Sequence, residues 1–84
     1  MTQYEQYMQS ALAELMAVPV DQISLSEPLS EQGVDSLVGL RLARKLNELT
    51  GGEVDLEWIY DYPSIDLLAR FLEERFGRIQ VSPL

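Results

Sequence analysis

Gly33-Val34-Asp35-Ser36-Leu37-Val38-Gly39-Leu40-Arg41-Leu42-Ala43-Arg44-Lys45-Leu46-Asn47-Glu48-Leu49-Thr50-Gly51-Gly52 is the stretch on which the fold turns. Asp35 and Ser36 carry side chains able to accept hydrogen bonds from the orphan amides of a first helical turn. Leu37, Leu40, Leu46 and Leu49, with Leu42 or Ala43 beside them, supply an apolar face. Gly51-Gly52 ends the run, because glycine enters the left-handed conformation at little cost. A helix over about residues 36 to 50 is expected, with a serine hydroxyl at its start.

Working outward, residues 18–35 form a long connection containing Pro19 and Pro28. Structureless loops of this length are uncommon in compact domains. Burial of Ile23, Leu25 and Leu29 would pin it across the molecule, so an ordered crossover is expected. Before it, Tyr4, Tyr7, Met8, Ala11, Leu12, Leu15 and Met16 recur at helical spacing and predict a first helix over about 3–17. Thr2 and Glu5 fit a capping box at its start, and Pro19 stops it. Downstream, a short helix is expected over 56–61, capped by Asp55 and closed by Pro63. A last helix, over about 64–76, begins at a Ser64 cap and buries Ile65, Leu68, Leu72 and Phe76 with Ala69 alongside. Asp66 near its start and Arg75, Gly77 and Arg78 near its end suit the helix dipole and C-cap preferences. Residues 77–84 form a tail. No strand pattern competes, so the chain reads as one all-α domain, 1–84, with three long helices and one short one.

At 84 residues the chain is long enough for one domain, and a deep catalytic cleft would strip side chains from its small core. Fourteen acidic residues against six basic ones give a net charge of −8, which repels phosphate backbones and favours partners with basic docking surfaces. Residues 1–40 contain no Lys or Arg, while Glu5, Glu14, Asp21, Glu27, Glu31 and Asp35 lie there. The absence of cysteine excludes disulfides and thiolate metal sites. Without histidine, imidazole catalysis and most transition-metal sites are excluded as well. With no long apolar run and no basic leader, the chain is expected to be soluble, cytosolic and monomeric, without membrane or nucleic-acid partners. Starting at Met1 and stopping soon after the last helix, it is expected to be a discrete protein.

Ser36 has two readings. As a capping residue it needs no further explanation. As a functional residue it places a hydroxyl beside unpaired N–H groups, where a phosphodiester would meet the positive end of the helix dipole. That anion effect contributes about 0.3–1 kcal/mol at an exposed site, easing a modification without driving it. Gly33 would permit a tight turn before the serine, and Leu37 would offer an apolar contact to a modifying enzyme. Ser36 as a catalytic nucleophile requires a base, usually histidine, and the chain has none. No catalytic residue is therefore expected, and any chemistry at Ser36 is performed by another protein. Glu27 and Glu31 read as a solvated face and not a metal site, Met8 and Met16 as core filler, and Trp58 as partial packing over the core.

Gly33 to Leu37 resembles the attachment motif of acyl carrier proteins. Leu40-Arg41-Leu42 and Leu46-Asn47-Glu48-Leu49-Thr50-Gly51 are similar to the second helix of carrier domains of the polyketide-synthase type. Ile59-Tyr60-Asp61-Tyr62-Pro63-Ser64-Ile65 resembles the phrase joining their third helix to the fourth. The similarity runs over about residues 5 to 76. It implies an acyl-carrier-like four-helix bundle in which Ser36 receives covalent 4′-phosphopantetheine from coenzyme A through a phosphopantetheinyl transferase that uses magnesium. Asp35 and Leu37 match positions that engage this transferase. The arm's thiol would carry acyl or polyketide intermediates as thioesters to partners such as a ketosynthase and an acyltransferase. Arg41 stands where fatty-acid carriers usually have glutamate, so the resemblance implies a polyketide partner set and makes Arg41 a partner-recognition candidate. Two alternatives remain open: a peptidyl carrier of nonribosomal peptide synthesis, and an unmodified acidic helical adaptor.

Overall fold

The computed structural model describes residues 2–77, so Arg78 and the remainder of the tail lie outside the described residues. In chain order come α1 (Gln3–Met16), single 3-10 turns at Val20–Gln22 and Leu29–Gln32, α2 (Ser36–Thr50), α3 (Leu56–Asp61) and α4 (Ile65–Phe76). No strand occurs among the described residues. The architecture is the expected all-α one, three long helices and a short third.

The caps explain most helix ends. Thr2 Oγ1 accepts from the Glu5 amide at 3.1 Å, while the Glu5 carboxylate accepts from the Thr2 amide at 2.8 Å, completing the capping box. At the other end, α1 stops at Met16 because Ala17 turns left-handed, with φ 56° and ψ 47°. The Val18 amide then donates back to the Ala13 carbonyl at 3.0 Å, and the Ala17 amide to that of Glu14 at 3.3 Å. Ala17 is the one described non-glycine residue with positive φ. An L-residue there costs roughly 1–2 kcal/mol, which glycine avoids at the expense of unfolded-state entropy. Ala17→Gly is expected to raise stability by about 0.5–1 kcal/mol, seen as a higher urea midpoint at unchanged slope. A lower midpoint would contradict this account of the α1 terminus.

The core joins three helices. Met8 and Leu12 of α1, Leu42 and Leu46 of α2, and Ile65, Leu68 and Leu72 of α4 are fully enclosed. α1 packs against both α2 and α4, and α3 packs on α2. Trp58 lies edge-on to Phe71 with centroids 4.9 Å apart, and the Arg75 guanidinium stands 5.8 Å from its ring, so it covers the core as expected. The Tyr4 hydroxyl donates to the Gly77 carbonyl at 3.1 Å, and burial, then the Glu73 carboxylate, raise its pKa.

Two expectations need correction. The buried stripe of α2 is Gly39, Leu42, Ala43 and Leu46, whereas Leu37 is 56% and Leu40 38% exposed. The helix is apolar at too many positions for spacing to select a face. Packing selects the one opposite Arg41, Arg44 and Glu48, which puts Leu37 and Leu40 on the charged side. In α4, Ser64 occupies the cap position without a side-chain cap bond. Its buried hydroxyl donates to the Asp66 carboxylate, which also accepts from the Leu67 amide at 2.8 Å.

The connection between α1 and α2 is ordered by both apolar and polar contacts. Ile23 and Leu29 are buried, and Leu25 packs against the core. Gln9 Nε2 donates to the Ile23 carbonyl at 2.7 Å. The Gln32 amide bridges Ser24 and Glu27, accepting from the Ser24 amide and donating to both carbonyls. The Leu29 amide donates to the Pro63 carbonyl at 2.7 Å and the Asp66 amide to the Leu25 carbonyl at 2.9 Å. The crossover is thereby fixed to the α3–α4 junction, and it delivers the chain to the start of α2 from a fixed support.

Candidate functional site

Gly33 ends the second 3-10 turn with φ 94°, where a side chain would be strained and a Cβ would lie 3.3 Å from the Met16 methyl carbon. This left-handed turn, backed by α1, lets Val34 and Asp35 extend and present Ser36 as the first residue of α2. Asp35 performs the capping: its side chain accepts from the Val38 amide at 2.9 Å, and its carbonyl from the Gly39 amide at 2.9 Å. Ser36 is thus released from the capping role that its residue type suggests.

The Ser36 side chain is exposed, and its Oγ lies 3.4 Å from the Tyr60 hydroxyl of α3. Helix geometry leaves the Ser36 and Leu37 amides without intrahelical acceptors, so the hydroxyl sits at the positive end of the α2 dipole. A cavity of about 190 Å³ adjoins the site, its walls including Leu29, Val34, Gly39, Ile59, Tyr60 and Pro63. Asp35, which precedes the serine, and Tyr60, which touches it, both belong to that lining.

Of the residues singled out from the sequence, Ser36, Asp35 and Leu37 cluster at this turn. Arg41 is exposed one turn further along, on the face shared by Leu37, Leu40 and Arg44. Beyond the serine, this face of α2 is therefore apolar and basic in an otherwise acidic chain. Glu27 and Glu31 are exposed, and among the described residues no group of three or more potential ligands could hold a metal ion. No helix of the described residues is long and apolar enough to cross a membrane. Tyr60 had no role assigned from the sequence. Its signal is a large aromatic ring left 60% exposed at the end of a six-residue helix whose inner face is filled by Ile59.

The chemistry open to this arrangement is that of an acceptor. The polar group beside Ser36 Oγ is a phenol, and the nearest carboxylate in sequence, Asp35, is engaged with an amide. An exposed hydroxyl with a phenol and no base beside it suits attachment of a group by an outside enzyme. The opening beside it leaves room for a long flexible substituent.

The profile of the family described as phosphopantetheine attachment site matches residues 6–72. The highly reducing polyketide synthase sorA of Penicillium rubens is 34% identical over 71 residues, covering 84% of this chain and 3% of the synthase. This chain therefore spans only a few per cent of the curated relatives it matches. Among solved structures, a free-standing peptidyl carrier protein from an uncharacterized secondary metabolic pathway of Acinetobacter baumannii superposes with TM-score 0.83 at 28% identity, over 86% of this chain and 90% of that one. The HMG-ACPI domain of the CurA module from Lyngbya majuscula shares the fold, with TM-score 0.80 at 22% identity over 88% and 75% of the two chains.

Proposed function

This chain belongs to the phosphopantetheine attachment-site family, and from that premise we propose that it is an acyl carrier of polyketide synthesis whose 4′-phosphopantetheine is attached at Ser36. One observation carries the residue assignment: the Ser36 hydroxyl is exposed at the first turn of α2 while Asp35 alone does the capping. On attachment, Ser36 Oγ loses its proton and gains a bond to phosphorus, as the pyrophosphate of coenzyme A splits and the nucleotide leaves. The arm, once attached, supplies a terminal thiol that holds acyl groups as thioesters. The chain's own residues provide a fixed base, a dipole suited to the phosphodiester, and a docking face. A tether of this kind raises the local concentration of cargo at each partner active site.

The partner set follows from similarity to polyketide synthases and from the exposed Leu37, Leu40, Arg41 and Arg44. Against the chain's net negative charge, this local face suits enzymes with complementary apolar and acidic surfaces, and a ketosynthase and an acyltransferase are the partners proposed. The likeness to a peptidyl carrier supports a second reading, in which the cargo is an aminoacyl group. Offering the modified protein to acyltransferase and ketosynthase in one assay, and to an amino-acid-activating enzyme in another, separates the two.

Incubating the purified chain with coenzyme A and a broad-specificity phosphopantetheinyl transferase is expected to add one phosphopantetheine mass by intact mass spectrometry. An unchanged mass rejects the proposal. Asp35 is assigned a second role, in engaging the transferase through its charge. Asn caps helices about as well as Asp, so Asp35→Asn is expected to keep the melting temperature while slowing modification by about tenfold. Equal modification rates would confine Asp35 to capping.

A further inference from the structure

Resting on Ser36 as the attachment point, we infer that Tyr60 is a positioning residue for the arm, its phenol donating a hydrogen bond to the phosphodiester and directing the arm's first bonds toward the cavity between α2 and α3. In the unmodified protein the Ser36 and Tyr60 hydroxyls lie 3.4 Å apart, and either can donate to the other. Esterification removes the serine proton, so Tyr60 becomes the only possible donor of the pair.

The geometry favours the phosphate as its new acceptor. Non-bridging phosphate oxygens project beyond Oγ, and a phenol already this close reaches the O–H···O distance of about 2.7 Å by side-chain rotation alone. A charged acceptor also makes a shorter and stronger bond than a second hydroxyl does. Side-chain alternatives are few. Residues 1–40 contain no cation, the first, Arg41, lies more than one helical turn along, and Asp35 at the same turn is anionic.

Tyr60 also has no other evident purpose for its hydroxyl. Its ring is 60% exposed, the adjacent Ile59 fills the inner face of α3, and Ser36 is the polar group its oxygen meets. Because Tyr60 stands on a different helix from the serine and lines the cavity, a bond from it would give the phosphodiester a direction that α2 alone does not.

The test uses the full chain, wild type and Tyr60→Phe, each treated with coenzyme A and transferase and checked by intact mass. No mass gain in the wild type would overturn the attachment reading, and this inference with it. With both proteins modified, phosphorus-31 NMR is expected to show a shifted, faster-relaxing resonance in the wild type that moves toward the free-arm position in Tyr60→Phe. One net hydrogen bond corresponds to about a fivefold bias toward the bridged position. A carbon-13 label at tyrosine Cζ should show a single ring, absent from Tyr60→Phe, responding to modification. Identical phosphorus shift and relaxation in the two modified proteins would overturn the positioning role while leaving the attachment reading intact. Circular-dichroism melts should coincide, since the ring is retained.

Discussion

Ser36→Ala is expected to take phosphopantetheine loading from complete to undetectable while leaving the helical circular-dichroism signal and melting temperature in place. The separation of the two effects follows from the division of labour at the start of α2. Asp35 holds the Val38 amide, so removing the neighbouring hydroxyl costs no cap. Alanine is the best helix former at an exposed position, and its effect on stability should stay within about 0.5 kcal/mol. On the proposed attachment at Ser36 the chemical effect is total, since among the described residues Ser64 is buried and Ser30 lies within the second 3-10 turn instead of at a long-helix start. Intact mass spectrometry after transferase treatment reads the outcome directly. A persisting mass gain would place the attachment elsewhere.

Leu46→Ala should produce the largest loss of stability of any single change considered. Leu46 is completely enclosed, on the face of α2 that packs against the rest of the core. Truncating such a leucine costs about 2–5 kcal/mol, the spread reflecting how far the cavity collapses. A domain of this size has little margin, and each kcal/mol shifts its melting temperature by about 4–8 °C. A fall of roughly 8–40 °C is expected. Leu40→Ala serves as the internal control: at 38% exposure it should cost well under 1 kcal/mol, despite its place in the same apolar run. Thermal melts showing Leu40→Ala as the more damaging change would refute the assigned face.

That pair of leucines marks where the sequence stops being readable. Helix ends were legible because caps and stops are local chemistry: Thr2 with Glu5, Asp55 before α3, Gly51 after α2 and Pro63 before α4 each act within a few residues. The faces of α1 and α4 were legible because exposed polar positions, Gln3, Gln6, Ser10 and Glu14 in α1 and Arg70 and Glu74 in α4, set their apolar stripes apart. In α2 the apolar positions nearly encircle the helix, and only the packing of α1 and α3 decides which are covered. The crossover was half legible. Ile23 and Leu29 announced burial, but the glutamines that hold its carbonyls, Gln9 and Gln32, belong to no sequence pattern. The turn proposed for attachment is a local pattern from Gly33 to Leu37, whereas the approach of Tyr60 to Ser36 spans two helices and exists only once α3 has docked. Ala17 reads as helix in the sequence, because alanine gives no hint that it will turn left-handed.

On the proposed attachment at Ser36, the hydrogen bonds from Leu29 to Pro63 and from Asp66 to Leu25 bear on how cargo would travel. They clamp the backbone on the upstream side of Ser36, and α2 stiffens the downstream side. The serine is thus a stationary pivot. A prosthetic chain attached there, as proposed, would sweep its arc through rotations about its own bonds, so the radius of delivery would be set by the length of that chain and by where the pivot stands when a partner docks.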